Sequence, residues 1–238
     1  PPKMVPYWLV SLGIMTTRRE RRRSGGLGMV KGSDAPSGRI ARTLEIGYNT
    51  STTQTKGSMM AKPQTAEQVA RRCLVLMAVI AAGHKKPRAK IRAWLRQEGL
   101  TKELTPQEKR LFASTNVSLR QQVWATWRVE ALAPLLWSIG ALPRMTKPKA
   151  MADPRKLLKP LYEPTEKFVQ EARLRSKRDL DRASTEIFET HWAVRDAQIN
   201  DKKIPGRVDP GIVQERHHAL NWLLNDAGEQ WDDVSTDT

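Results

Sequence analysis

Beyond residue 60 the chain places capping residues ahead of apolar residues spaced three and four apart, and closes several of these stretches with glycine. That punctuation admits little but helices. Thr65-Ala66-Glu67-Gln68 has the form of a capping box, in which the Thr hydroxyl accepts from the third backbone N–H and Gln reaches back. Val69, Cys73, Leu76, Met77 and Ile80 follow at helical spacing up to Gly83. A basic turn, His84–Lys86, and Pro87 lead to a second stripe, Ile91, Trp94 and Leu95, which ends at Gly99. Thr105-Pro106-Gln107-Glu108 opens a short third helix with proline at its favoured first position. The longest apolar helix starts at Ser118 and runs through Trp124, Trp127, Leu132, Leu135 and Trp137 to Gly140, with Pro134 as an expected kink. Five prolines from Pro143 to Pro164 mark a connection with one helical turn after Asp153-Pro154. Helices resume over 176–200 and 209–225, the latter opened by Asp209 and Pro210. No segment shows the two-residue alternation of a half-buried strand. The expectation is an all-α fold: a single compact multi-helix domain over residues 59–238, with Trp94, Trp124, Trp127, Trp137 and Trp192 largely buried.

Residues 1–58 read differently. They hold eight of the fourteen glycines and one of the eight tryptophans, and show no sustained period. The apolar patch Tyr7–Met15 precedes the basic cluster Arg18–Arg23, the reverse of a secretory signal. The chain begins with Pro1, and Met59-Met60 stands just before the first helix signal. A disordered basic N-terminal extension, a sequence upstream of the true start, and a targeting or nucleic-acid-binding arm are the three readings.

The formal charge of +16 is unevenly placed: residues 1–58 carry +7, residues 59–160 carry +14 and residues 161–238 carry −5. A basic middle facing an acidic end favours internal pairing, and it also raises the prospect of nucleic acid bound through residues 85–96. The one cysteine, Cys73, excludes a disulfide framework and a cysteine-based zinc site, and fits a reducing, cytoplasmic setting. No apolar run reaches the ~18 residues a membrane span needs.

Polar residues on apolar stripes are the candidates for chemistry. Trp124, Arg128, Ala131 and Leu135 share one helix face; Phe188, Trp192, Arg195 and Ile199 a second; Ile212, Arg216, Ala219, Leu220 and Leu223 a third. Each face holds one arginine, with an acid within two positions: Glu130, Asp196 and Glu215. A buried unpaired guanidinium costs several kcal/mol, so these arginines either pair with carboxylates across helices or hold an anionic ligand. His191 and His217 are candidates for a His–carboxylate acid/base pair with Asp232 or Asp233, or for structural hydrogen bonds. Their spacing matches no metal motif, and no metal or cofactor is expected. His217 stands four residues before Asn221, on a helix whose Gln214, His218, Asn221 and Asn225 form a polar stripe. No phosphate loop appears, because Gly26-Leu27-Gly28 lacks a following Lys-Ser/Thr, and no nucleophile elbow or kinase set is present. Trp231, large and apolar, is expected to dock on the helical body and carry Asp232 and Asp233 toward basic groups.

Several long strings stand in a fixed order. They are Trp127-Arg128-Val129-Glu130-Ala131-Leu132, Leu135-Leu136-Trp137 with Gly140, and His191-Trp192-Ala193-Val194-Arg195-Asp196-Ala197. Asp209-Pro210-Gly211-Ile212-Val213-Gln214-Glu215-Arg216-His217 follows, then Ala219-Leu220-Asn221-Trp222-Leu223, and Trp231-Asp232-Asp233-Val234-Ser235-Thr236-Asp237-Thr238 closes the chain. With these strings the chain resembles the domain of unknown function 4272 family over about residues 65–238, leaving residues 1–58 outside. His218 departs from the family pattern, which has an arginine there. The resemblance implies a helical, mostly bacterial protein and no established activity.

Abundant core signals without a complete catalytic constellation favour a non-enzymatic interaction or regulatory domain with a protein partner. The alternatives are a hydrolase or transferase that holds an anionic small molecule with Arg128, Arg195 and Arg216 and uses His191 or His217 as base, or a nucleic-acid-binding protein. Convergence of those side chains on one open pocket would separate the enzyme from the interaction domain.

Overall fold

In the computed structural model, which describes residues 62–224 and 228–238, the described residues form eight helices and no strand. They are α1 (Ala66–Gly83), α2 (Arg88–Gln97), α3 (Pro106–Ala113), α4 (Leu119–Ser138), α5 (Pro154–Leu157), α6 (Thr165–Glu171), α7 (Lys177–Ile199) and α8 (Pro210–Leu224). Reciprocal capping boxes begin α1 at Thr65, α3 at Thr105 and α4 at Ser118. Single side-chain caps from Asp153 and Ser176 begin α5 and α7. Gly99 and Gly140 follow α2 and α4 with φ of +66° and +78°, which suits glycine where a helix ends.

The order of packing follows from α1. From Val69 to Gly83 every residue but Arg71 is buried, and a helix apolar on all sides must be covered on all sides. The principal cover is α4, while α2, α3 and α6 close the remaining flanks. The other face of α4 receives α8, and α8 receives α7, so the main helices stand in the order α1, α4, α8, α7. Two glycines permit close approach to α4. A Cβ at Gly83 would lie 2.9 Å from the Ala125 methyl, and one at Gly211 would lie 2.8 Å from the Trp127 indole. Pro134 sits within α4, which continues through it to Ser138. No described helix is long and apolar enough to cross a membrane.

The expected core needs one correction. Trp94 is buried and Trp124, Trp127 and Trp137 are partly so, but Trp192 is 55% exposed. Phe188 and Ile199, on the same face of α7, are 45% and 74% exposed. The reason is that α7 has two apolar faces. Leu180, Ala183, Ile187, Val194 and Ala197 are the buried one, and the bulkier stripe points away from it. Residues 1–58, with the extension expected there, and Asn225 lie outside the described residues.

Candidate functional site

Two adjacent ion pairs join α4 to α8. Arg216 donates to Glu130 Oε2 through Nη2 at 2.9 Å and Nε at 3.2 Å. Glu130 is fully buried, and its other oxygen accepts the Ala152 N–H at 2.5 Å. Arg216 also donates to the Thr146 carbonyl and, at 3.3 Å, to the Thr146 hydroxyl. This pair is saturated and dry, the condition under which a buried ion pair is tolerated. Arg128 donates to Glu215 at 2.7 Å, and its guanidinium lies 5.2 Å from the centre of the Trp124 ring. Here Arg128 Nε and Glu215 Oε2 are buried with no hydrogen-bond partner among the described residues. Desolvation raises the Glu215 carboxyl to about 7; Arg128 opposes the rise and Glu130 adds to it.

A third pair was not among the residues singled out from the sequence. Arg72 on α1 donates to Glu108 and, at 3.2 Å, to the Glu103 carbonyl. Glu108 is itself the capping residue of α3, accepting the Thr105 N–H at 2.9 Å. Its place in Thr105-Pro106-Gln107-Glu108 was a signal; that its second oxygen meets an arginine from an apolar helix is a tertiary fact.

The C-terminal segment closes over these pairs. Trp231 is buried beneath Arg72, whose guanidinium carbon lies 4.8 Å from the ring centre. Its edges meet Trp222 at 5.2 Å and His218 at 4.8 Å. Asp232 goes to a backbone group and not to an arginine: its Oδ2 accepts the Gln107 N–H at 3.0 Å, in the first turn of α3. That places a carboxylate where orphan N–H groups and the helix dipole favour one. Asn221 donates to the Ser235 carbonyl at 2.9 Å, and Asp233 is exposed. Burial, with Arg128 and Arg72 nearby, lowers His218 to about 4 against the opposing influence of Asp232 and a hydrogen bond with the Trp231 backbone.

His191 and His217 meet each other. Their Nδ1 atoms are 2.9 Å apart, and the rings cross edge to face. One must donate and the other accept, so two imidazolium rings there would clash. Burial, then the His191 charge, lowers His217 to about 4; burial, then Arg195, lowers His191. Neither is hydrogen-bonded to Asp232 or Asp233 among the described residues. Those residues contain no group of three or more His, Cys, Asp or Glu placed to hold a metal ion.

The three arginines named from the sequence do not converge. Arg216 borders a cavity of about 330 Å³ with Thr146 and Thr190. Arg195 borders one of about 380 Å³ with His191 and Gln214. Arg128 borders one of about 220 Å³ with Glu215, His218 and Asp232. Arg195 is exposed, and Asp196 accepts instead from Asn200 at 2.7 Å and Lys202 at 3.4 Å. The reason is again the second stripe of α7, which leaves this arginine exposed at the rim of the cavity it shares with His191 and Gln214. A cleft of about 1150 Å³ lies between α1, α3 and the C-terminal segment. Lys62, Arg72, Lys102 and Arg110 line it together with Glu103, Glu229, Asp232 and Asp233, so neither sign dominates. Within the basic stretch 85–96, Arg88 donates to the Leu111, Ser114 and Thr115 carbonyls at the end of α3, and Lys85, Lys90, Arg92 and Arg96 are exposed.

Residues 36–234 match the family model described as domain of unknown function 4272, which corrects the expected boundary: residues 36–58 lie inside the match and not outside it. Neither a curated protein nor a solved structure matches the chain.

Proposed function

The chain belongs to the domain of unknown function 4272 family, and we propose that it serves as a non-enzymatic interaction or regulatory domain in the cytoplasm of a bacterial cell. The observation that carries this reading is a contrast between the interior and one outer face. Inside, Arg72, Arg128 and Arg216 are each bonded to a carboxylate of the same chain, and His191 and His217 are bonded to each other. A catalytic set needs such groups converging on one reacting position. Outside, Phe188, Trp192 and Ile199 stand exposed on α7 with Arg195 among them. A large aromatic, other apolar side chains and an arginine together have the composition of a protein-binding hot spot.

Replacing Trp192 by a photo-reactive amino acid in the full chain, inside the native cell, tests this reading. A discrete protein adduct is expected from position 192, and none from an equivalent probe at exposed Gln97 on α2. Absence of any protein adduct at 192 overturns it.

A further inference from the structure

Resting on that reading of the α7 face, we infer that the partner seated there is a second copy of this chain, packed antiparallel along α7. The stripe has the spacing of a coiled-coil seam. Phe188, Trp192, Arg195 and Ile199 are separated by four, three and four residues, which is the alternation of d and a positions and keeps all four within about 60° of arc on a helix with 3.6 residues per turn. Leu180, Ala183, Ile187, Val194 and Ala197 bury a face roughly 130° around the helix, toward which only the Phe188 ring leans, edge to face with His217 of α8. The helix therefore carries a second stripe that stands exposed among the described residues.

The same spacing is symmetric. A two-fold axis crossing α7 between Ala193 and Val194 exchanges position 188 with 199 and position 192 with 195. Phe188 then meets Ile199 of the second copy, and Trp192 meets Arg195 of the second copy, each contact occurring twice, as an isologous interface requires. Apolar faces apolar, and a guanidinium faces an indole.

That second contact recurs within the described residues of this chain. Arg72 lies over Trp231 at 4.8 Å, Arg128 over Trp124 at 5.2 Å and Arg175 over Trp137 at 4.9 Å. A cation is attracted to the negative face of the ring, and more so once water is excluded. Arg195 has no carboxylate partner among the described residues. Exposed Glu189, one turn before Trp192, comes within one helical turn of the same guanidinium across the axis and supplies the opposite charge.

The size of the contact sets its strength. Residues 188–199 span roughly 16 Å of helix at 1.5 Å per residue, well short of the length that buries the ~1,600 Å² of a standard interface. The dimer is therefore weak, forming in the micromolar range and above, and it is reversible.

Sedimentation equilibrium of the full chain from about 1 µM to about 500 µM tests the inference. The weight-average mass is expected to rise toward twice the monomer value. W192R, which sets two guanidinium groups against each other, weakens association at least tenfold, while the double variant W192R/R195W exchanges the two partners and restores it. All these positions are exposed, and an unchanged far-UV spectrum and melting temperature confirm that each variant is folded. A chain that stays monomeric throughout, or a W192R variant that associates like the parent, overturns the inference. If the probe at position 192 then captures a different protein, the interaction-domain reading stands and only the second copy is wrong. If it captures residues 1–61 of its own chain, the second copy is wrong and an internal segment is the occupant. With no adduct at all, both readings fall.

Discussion

The Arg216–Glu130 and Arg128–Glu215 pairs connect the same two helices through neighbouring residues, yet they are chemically different. Glu130 has both oxygens engaged and no exposure, and Arg216 holds it through two nitrogens while a third reaches Thr146. Glu215 holds one nitrogen at 2.7 Å and leaves its other oxygen without a hydrogen-bond partner among the described residues, in a cavity shared with Trp231, Asp232 and His218. Opposite charges in contact are common to both. What separates them is how completely each charge's remaining hydrogen-bonding groups are satisfied.

The sharpest way to break this contrast is to remove Glu130. E130A leaves the Arg216 guanidinium buried against Thr146 without a counter-charge and removes the acceptor of the Ala152 N–H. Breaking a buried pair from one side costs about 3–5 kcal/mol, so denaturant unfolding should show a loss of that order at pH 7. A loss under about 1 kcal/mol would show that the interior adjusts to an orphaned arginine and that saturation is not what holds this pair.

The second test bears on the other pair. Deleting residues 231–238 removes the indole between Arg72, Trp222 and His218, and the carboxylate that caps α3 through Gln107. A buried aromatic with its ring contacts is worth about 2 kcal/mol or more, and the cap about 1 more. The truncated chain should therefore lose at least ~2 kcal/mol, read as a lower melting temperature. It should also wet the Arg128–Glu215 side and bring the Glu215 carboxyl down from about 7 toward its ordinary value, while Glu130 remains dry. An unchanged melting temperature would mean that the segment is not docked in solution.

Much of this architecture was legible in the sequence because its causes are local. The caps at Thr65 and Thr105, the start at Ser118 and the glycines after α2 and α4 act within one helical turn, so reading them placed those helices, whereas α6 carried no such signal and was not read. The pairing of Arg128 and Arg216 with acids across helices was one of the two readings, since an arginine on an apolar face must be compensated; which helix supplies each acid needs the α4–α8 packing. The fate of α7 was not legible. Its two apolar stripes lie roughly 130° apart, and periodicity cannot say which one its own domain covers, so Trp192 and Arg195 were read as interior and stand outside. Asp232 was drawn toward arginines by charge alone, whereas the structure satisfies it with a backbone N–H at the start of α3. Arg72 was passed over because it stands within an otherwise apolar helix, and its partner comes from 36 residues away.

The smallest effect should come from E215Q, and its dependence on pH is the finest test of the contrast. His217 and His218 titrate near 4 in the fold against an ordinary 6.5, and His191 is displaced in the same direction. Between those values the unfolded chain binds more protons, so the histidines make stability rise as pH goes from about 4 to about 6.5. Glu215 works the other way. Its folded value near 7 lies above the ordinary 4.5, so the folded chain binds the extra proton and this contribution declines as pH climbs from about 4.5 to about 7. Three histidines against one carboxyl leave a net rise, with the Glu215 decline beneath it. Glutamine keeps the shape and an acceptor for Arg128 but cannot ionise. At pH 5 the variant should match the parent within roughly 0.5 kcal/mol, and by pH 8 it should be more stable than the parent by about 1 kcal/mol, since a neutral group no longer carries the desolvation cost of a carboxylate. Thermal unfolding of both proteins from pH 4.5 to pH 8 measures the difference directly. If E215Q instead loses several kcal/mol at every pH, as E130A should, then Glu215 is held as firmly as Glu130 and its unsatisfied oxygen has no energetic meaning.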